Sequence, residues 1–218
     1  STLSDQPRAV LWKNADGSGT EEMLAASGFH IHLGSFSPDG GLMAYTNYES
    51  ETRGDIWLLP LTGDRKPRPF LQTPFNEIDP KISPDGRWIA YTSDETGREE
   101  VYVQSLEGPG GKYQISSGGG FGSLWQRNAR ELFYRTGNKV MVVTVTTRPG
   151  FAASSPRLLF EGTYDIHPRR EGMWDVSPDG QHFLMVKPRG GEAVQSQLRV
   201  VLNFFTDLRQ RASQEAGK

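Results

Sequence analysis

The sequence predicts an all-β protein, a β-propeller of four-stranded antiparallel blades, from its composition and from one repeated turn. There are 25 glycines and 14 prolines, which interrupt short runs of β-branched and aromatic residues, as is typical of strands joined by turns. The tetrapeptide Ser-Pro-Asp-Gly occurs at 37–40, 83–86 and 177–180, and an altered copy, Gln-Arg-Asn-Ala, occurs at 126–129. The successive intervals of 46, 43 and 51 residues are typical of propeller blades, which contain one such turn each.

The tetrapeptide has the chemistry of a hairpin corner. Proline presets φ for the turn, aspartate accepts hydrogen bonds from the nearby backbone, and glycine tolerates a positive φ before the chain returns as the next strand. The altered copy has Ala129 in place of the glycine, which predicts a distorted corner there. We expect structural roles for the aspartates and glycines of the three intact copies, Asp39, Gly40, Asp85, Gly86, Asp179 and Gly180.

Four strands per unit follow from the apolar runs around each corner. A short strand precedes the corner, an apolar strand follows it, and a third and a shorter fourth strand complete the unit. The pattern predicts one propeller domain over 1–207 and a polar tail over 208–218. Within the domain we expect, in chain order, a partial blade at 8–26, blades at about 30–72, 77–116 and 120–161, and a last blade at 171–203.

Both ends of this series are expected to be incomplete, because the first unit starts at its third strand and the last unit lacks a fourth. We expect about four to five blades in this chain. Two alternatives stay open. Either the terminal strands close one ring by sharing a blade, or the ring stays incomplete and a second copy covers its open edges as a homodimer.

The net charge and the lengths of the apolar runs exclude some classes of partner. Lys and Arg number 24 and Asp and Glu 26, which gives a formal charge of −2. This balance creates no field that attracts polyanions, so we expect no nucleic-acid partner. No apolar run reaches the roughly 18 residues of a membrane-spanning helix, so no membrane segment is expected in this chain. The absence of cysteine excludes disulfides, thiolate zinc ligands and thiol catalysis.

Several segments resemble a known family of propellers. These segments are 55–67, 75–77, 82–91 and 108–116, together with 200–205 near the end. They are similar to the TolB-like, WD40-like (PD40) β-propeller that follows the kinase domain in many bacterial serine/threonine kinases, and the resemblance covers nearly the whole chain. The chain itself has none of the kinase motifs, since it lacks the glycine-rich loop with its lysine, His-Arg-Asp and Asp-Phe-Gly.

The resemblance implies the C-terminal part of a longer propeller that senses or binds proteins. It supplies no catalytic residues, and it favours a periplasmic or otherwise extracytoplasmic location. The leading hypothesis is therefore a non-catalytic module that binds a protein, peptide or small ligand at its funnel face. We use this term for the rim of the ring at which the first strands of the blades begin.

A second hypothesis comes from histidines expected near the funnel face. His30 and His32 are two residues apart, so on a strand their side chains point to the same side. Neutral imidazoles so placed suit Zn²⁺ or a similar divalent ion, and His167, Glu77 and Asp79 are further candidate ligands. A metal held there would activate water, which predicts a hydrolase of lactone, ester or phosphotriester bonds. The alternative is that both histidines are polar loop residues.

Two further segments are expected near the same rim. Arg169 and Arg170 are candidates for binding an anionic group of a ligand through bidentate hydrogen bonds, and the alternative is that they are solvated loop charges. The run 117–122 is rich in glycine but lacks the strand-to-helix setting of a phosphate-binding loop, so we expect a flexible connection between blades. The five tryptophans are expected to pack between blades.

Overall fold

The computed structural model describes residues 8–28, 30–49, 53–107, 111–165 and 174–187. These residues form strands and turns, and none of them belongs to a helix long and apolar enough to cross a membrane. The strands, in chain order, are β1 (Arg8–Trp12), β2 (Glu22–Ser27), β3 (Ile31–Phe36), β4 (Leu42–Glu49), β5 (Arg53–Pro60), β6 (Arg68–Leu71), β7 (Glu77–Ile82), β8 (Trp88–Ser93), β9 (Glu100–Ser105), β10 (Lys112–Gln114), β11 (Phe121–Trp125), β12 (Glu131–Thr136), β13 (Lys139–Thr146), β14 (Ala152–Ala153), β15 (Arg157–Glu161), β16 (Trp174–Val176) and β17 (Phe183–Met185).

Three antiparallel sheets form the middle of the described chain. Blade 1 has the strand order β3-β4-β5-β6, and blade 2 has the order β7-β8-β9-β10. In blade 3, β11, β12 and β13 are followed by β15, and the short β14 pairs with the far end of β13. Each blade is a meander in which strands adjacent in sequence are adjacent in space. The all-β propeller architecture predicted from the sequence is confirmed.

Two smaller sheets flank the three blades. The N-terminal half-blade consists of β1 and β2, and the C-terminal half-blade consists of β16 and β17. These are separate sheets with no strand pairing between them, so the series of blades is open over the described residues. The third strand expected at 198–202 for the last blade lies outside the described residues, as does the tail at 208–218.

Apolar side chains fill the space between neighbouring blades. The strand β8 is buried along its whole length, because blades 1 and 3 pack on its two faces. Burial of one large apolar side chain contributes about 1.5–3 kcal/mol, so these contacts supply much of the stability of the series. The cluster between blades 2 and 3 has the buried members Trp88, Ala90, Val101, Val103, Ile115, Leu132, Tyr134, Val143, Val145 and Phe151.

Indole N–H groups link the first strands of successive sheets. Trp125 Nε1 on β11 donates to the carbonyl of Lys81 on β7 at 2.9 Å. Trp174 Nε1 on β16 donates to the carbonyl of Gly122 on β11 at 3.0 Å. Strands β7, β11 and β16 therefore lie side by side as inner strands, and these two tryptophans connect blades as the sequence predicts.

The Ser-Pro-Asp-Gly corners are closed by the same set of hydrogen bonds. In the first corner Ser37 Oγ donates to Asp39 Oδ1 at 2.5 Å, and the amide of Gly41 donates to the same oxygen at 3.0 Å. These two bonds lower the pKa of Asp39. The amide of Gly40, whose φ is 70°, donates to the Ser37 carbonyl at 2.9 Å. The other two corners repeat this pattern with Asp85, Gly86, Asp179 and Gly180.

The altered corner at 126–129 keeps the same backbone. The amide of Ala129 donates to the Gln126 carbonyl at 2.8 Å, and φ of Ala129 is 56°. Asn128 takes the place of the aspartate, since its Oδ1 accepts from the amide of Arg130 at 2.9 Å. The expectation of a distorted corner is therefore wrong. Instead, Ala129 is held in the left-handed region that glycine favours.

Candidate funnel-face site

The funnel face is held together where the inner strands begin. The amide of Ile82 on β7 donates to Ser35 Oγ on β3 at 2.7 Å, so β3 also lies among the inner strands. Each inner strand runs from this face to its corner at the opposite rim. Asp94, between β8 and β9, accepts from Arg53 Nη1 at 3.0 Å and from the amide of Asn76 at 2.9 Å. These bonds tie the connections of blades 1 and 2 into one rim.

Three half-buried rings lie together on this rim. The ring centroids of His30 and His32, at the beginning of β3, are 6.3 Å apart. The ring of His32 meets that of Tyr48, near the end of β4, edge-on at a centroid distance of 5.3 Å. The amide of Tyr48 donates to the carbonyl of His30 at 2.9 Å and fixes the backbone beneath the rings. We call this group of three side chains the aromatic surface.

Glu77 begins β7 with a buried carboxyl group. The residue is 2% exposed, and Thr73 Oγ1 donates to its Oε1 at 2.5 Å. Its Oε2 is buried and has no hydrogen-bond partner among the described residues. Burial raises the pKa of Glu77, the bond from Thr73 opposes that rise, and the charges of Asp55 and Glu95 add to it. Glu77 therefore keeps its proton to a higher pH than an exposed glutamate does.

Asp79 lies in a bulge of β7 and has a strained backbone. Its φ is 54°, and Gly122 at the corresponding bulge of β11 has φ of 63°. The amide of Asp79 donates to Thr46 Oγ1 of blade 1 at 3.2 Å, and its Oδ1 lies 2.9 Å from Lys81 Nζ. A left-handed backbone at a residue other than glycine costs about 1–3 kcal/mol. The hydrogen bond to Thr46 and the ion pair with Lys81 offset this strain.

The candidate metal ligands do not form a complete group. Over the five described ranges, no three His, Asp or Glu side chains meet in an arrangement able to hold a metal ion. The rings of His30 and His32 lie together, whereas Glu77 accepts from Thr73 through one oxygen and Asp79 is paired with Lys81. A zinc site takes three or four protein ligands, so the histidine pair alone does not make one. The other predicted site residues lie outside the described residues and are His167, Arg169 and Arg170.

Glu100, the first residue of β9, fixes the glycine-rich connection to blade 3. Its Oε1 accepts from the amides of Gly118 and Gly119, both at 2.9 Å, and from Arg98 Nε at 2.9 Å. Ser116 Oγ donates to Oε2. Burial raises the pKa of Glu100, but these hydrogen bonds outweigh it and the net shift is downward. The connection is tied to an ionised carboxylate, so the expectation of a flexible link is wrong.

A buried guanidinium near the funnel face was not expected from the sequence. Arg135 on β12 is 1% exposed, and its Nη1 donates to the carbonyl of Asp165 at 2.8 Å. Its guanidinium carbon lies 5.9 Å from the centre of the Tyr164 ring. Arg135 thus holds the segment that follows blade 3. The sequence does contain a signal for this role. Counted from the corner, Arg135 occupies the position at which blades 1 and 2 have the small residues Thr46 and Thr92.

Comparison with known proteins supports this architecture. No family model matches the chain. Tricorn protease homolog 1 of Streptomyces coelicolor is 42% identical over 72 residues, which are 33% of this chain and 6% of that protein. The Agrobacterium tumefaciens structure described as a TolB gives a TM-score of 0.53 at 17% identity, over 72% of this chain and 61% of that one. The periplasmic gluconolactonase PpgL of Pseudomonas aeruginosa gives 0.52 at 20% identity, over 81% and 55%.

These likenesses define the class of fold. The chain has the β-propeller fold, and this fold is similar to that of the Agrobacterium tumefaciens TolB structure. The matches span less than two thirds of the length of each of the three proteins. Propellers of one architecture carry unrelated functions, so the function of this chain depends on the residues of its own funnel face.

Proposed function

We propose that this propeller is a non-catalytic module whose funnel face binds a protein, a peptide or a small ligand. The observation that carries the proposal is the aromatic surface of His30, His32 and Tyr48. Of the two candidate carboxylates on β7, Glu77 is buried with a raised pKa, and Asp79 forms an ion pair with Lys81. Half-buried rings suit binding through ring contacts, whereas a glutamate with a raised pKa and an ion-paired aspartate are poor metal ligands for hydrolysis.

The chemistry of the rings indicates what they would bind. Tyrosine and histidine combine an apolar ring with a polar tip, so they contact ligands of mixed polarity such as peptides. The rim is also preorganised, because Asp94 ties Arg53 and Asn76 together. Preorganisation lowers the ordering cost of binding. A peptide or an exposed loop of a protein partner is therefore the best fit.

Exposed apolar side chains on the two half-blades favour a second kind of partner. Leu11 and Met23 of the N-terminal half-blade are 53% and 65% exposed, and Leu184 of the C-terminal half-blade is 49% exposed. Exposed apolar side chains at the edge of a sheet favour association with another chain. A homodimer through these edges is the second part of the proposal.

Peptide selection tests the funnel face directly. A phage-displayed library of random short peptides is selected on the immobilised protein, and the enriched peptides are then titrated into two variants. Tyr48→Ala removes one ring of the aromatic surface, and Arg127→Ala changes an exposed residue of the corner at the opposite rim. We expect Tyr48→Ala to weaken binding by about tenfold or more, equivalent to about 1.4 kcal/mol, and Arg127→Ala to leave it unchanged. Failure to enrich any peptide, or an equal loss in both variants, would contradict the proposal.

A metal-dependent hydrolase is the second candidate, favoured by the 6.3 Å separation of the His30 and His32 rings. The periplasmic gluconolactonase of Pseudomonas aeruginosa shares the fold. A divalent metal such as zinc would supply an ionised water for attack on a lactone, ester or phosphotriester bond. His30 and His32 would be two of the three ligands that such a metal needs, and His167 would have to be the third.

Hydrolysis assays with and without a chelator test this candidate. The substrates are p-nitrophenyl acetate, γ-butyrolactone and a phosphotriester. If the candidate is right, the double variant His30→Ala, His32→Ala and the chelator should each abolish turnover. His182→Ala is the matched control, because this histidine lies beside the corner at the opposite rim. Turnover that survives in the double variant, or none at all in the wild type, would exclude the candidate.

A further inference from the structure

A cavity lies between the N-terminal half-blade and blade 1. Its volume is about 520 Å³, which is within the range of small-ligand sites. One wall is formed by Tyr45 of β4 and Trp57 of β5, and the other by residues 25–28 at the end of β2. None of the three rings of the aromatic surface is among its lining side chains. The cavity is therefore a candidate site separate from those rings.

Tyr45 and Trp57 form an aromatic pair that recurs in blade 2. They are cross-strand partners, so their rings lie on the same face of blade 1. Counted from the glycine of each corner, Tyr91 occupies the position of Tyr45, and the cross-strand partner of Tyr91 is Tyr102. Both tyrosines are buried in the cluster between blades 1 and 2. The same kind of aromatic pair therefore faces the preceding sheet in both blades.

A lysine of the chain covers the aromatic pair of blade 2. Lys112 Nζ lies 4.5 Å from the centre of the Tyr102 ring and 5.9 Å from that of the Tyr91 ring. It also forms an ion pair with Glu95. The face of an aromatic ring attracts a cation because its electrostatic potential is negative. Lys112 is two residues before Gln114, which is the partner of Tyr102 on β10.

Blade 1 has a proline at the corresponding position. The partner of Trp57 on β6 is Pro69, and Pro67 is two residues before it. Pro67 therefore occupies the position of Lys112, and it lines the cavity. A proline has no charge, so this position supplies no cation to the ring of Trp57.

The opposite wall of the cavity has small side chains. In blade 1 the last strand partners before the register shift between β5 and β6 are Ile56 and Leu71. In the N-terminal half-blade the partners before the same shift are Val10 and Ala25. Ala25 thus occupies the position of Leu71, which packs against the cluster between blades 1 and 2. An alanine in the place of a leucine leaves space unfilled.

We propose that this cavity binds an alkylammonium group, which takes the place that Lys112 Nζ occupies in blade 2. An indole attracts a cation more strongly than a phenol ring does, so Trp57 favours this ligand. Asn47 and Ser27 also line the cavity, and amide and hydroxyl oxygens accept hydrogen bonds from an ammonium. The ammonium belongs to a free amine or to a lysine side chain of another protein. The inference does not rest on the proposed function of the funnel face.

Nuclear magnetic resonance of the Trp57 indole N–H tests the proposal, because this ring lines the cavity. The variant Trp57→Phe assigns the resonance. The protein is titrated with butylammonium, which has the alkyl chain and the ammonium of a lysine, and with 1-pentanol, a neutral molecule of similar size. We expect butylammonium to shift the resonance at concentrations about tenfold lower than 1-pentanol does.

A third titration distinguishes the two sources of the ammonium. It uses Nα-acetyl-lysine methylamide, which presents a lysine side chain between two peptide bonds. Tighter binding of this compound than of butylammonium identifies a protein lysine as the source, and weaker binding identifies a free amine. Both results support the site.

Two variants fill the cavity. Ala25→Leu introduces the side chain that Leu71 has at this position, and Pro67→Lys introduces the ammonium of Lys112. We expect each variant to abolish the shift, whereas Ala152→Leu, at an exposed position of β14, should leave it unchanged. Equal responses to butylammonium and 1-pentanol, or no response to butylammonium, would overturn the inference. A shift that persists in Pro67→Lys would also overturn it, and this change between β5 and β6 keeps the test decisive if Ala25→Leu fails to fold.

Discussion

Two residues hold a left-handed backbone at positions where another blade has glycine. Ala129 has φ of 56° in the altered corner, where Gly86 of blade 2 has 74°. Asp79 has φ of 54° in its bulge, where Gly122 of blade 3 has 63°. The β-carbon of a residue in this region approaches the following carbonyl oxygen, which costs free energy that glycine avoids.

Replacing Ala129 by glycine should stabilise the protein by about 1 kcal/mol. Relief of the left-handed strain outweighs the greater freedom that glycine gives the unfolded chain. Urea unfolding of the purified variant measures this change. Ala153→Gly is the control, since Ala153 lies in β14 without a positive φ and its replacement should destabilise by about 0.5–1 kcal/mol. An Ala129→Gly variant no more stable than the wild type would show that the corner is not strained.

Glu77 gives the funnel face a pH-dependent stability. Its pKa is raised in the folded state, so its contribution to stability is full below the unfolded pKa of about 4.3 and is lost as pH rises through the folded pKa. Glu77→Gln keeps an oxygen for Thr73 and cannot ionise. We expect this variant to unfold at a higher urea concentration than the wild type at pH 8, and the difference to vanish at pH 4. A variant less stable than the wild type at pH 8 would contradict the raised pKa.

Residue roles at the funnel face are only partly visible in the sequence. The pair His30 and His32 is predicted from spacing alone, because alternation along a strand is a local property. The burial of Glu77, the bulge at Asp79 and the contact of Arg135 with Asp165 depend on the neighbouring blade. A local pattern of residues does not contain that information.

Hydrogen bonds between inner strands are the connections that hold whole elements in place. Trp125 Nε1 donates to the carbonyl of Lys81, and Trp174 Nε1 donates to the carbonyl of Gly122. A buried carbonyl left without a donor costs about 1–3 kcal/mol. These two indoles therefore fix the positions of three successive inner strands.

Trp125→Phe should lower the free energy of unfolding by about 2 kcal/mol. The variant loses the hydrogen bond to the Lys81 carbonyl and part of the ring volume between blades 2 and 3. Chemical denaturation followed by circular dichroism measures the loss. Trp12→Phe, at a residue 40% exposed in β1, is the control and should change stability by less than about 0.5 kcal/mol. Similar losses in both variants would contradict a special role for Trp125.

At the scale of elements the sequence is informative where the repeat is regular. The corners and the strands beside them follow from turn chemistry and alternation, which are local. The outer part of blade 3 is different, because its outer strand is divided into β14 and β15. Phe151, next to β14, packs 5.2 Å from the Trp88 ring and 4.9 Å from the Tyr113 ring of blade 2. The divided strand is accompanied by this contact of Phe151 with blade 2, which cannot be predicted from a single segment of the sequence.

The whole molecule is an open series of three blades between two half-blades over the described residues. The sequence predicts the propeller from its period but leaves two ways to complete it, ring closure within the chain or association with a second copy. The choice depends on packing between surfaces far apart in sequence, so no local pattern decides it. Local sequence patterns do not predict the function either, because the funnel face is assembled from several blades.

Elemental analysis of the purified, untagged protein tests the central claim that the funnel face acts as a binding surface without a metal. The wild type is analysed beside the double variant His30→Ala, His32→Ala and the control His182→Ala. We expect no stoichiometric transition metal in any of the three. One tightly held metal per chain in the wild type and in the control, absent from the double variant, would contradict the account and make the hydrolase the leading function.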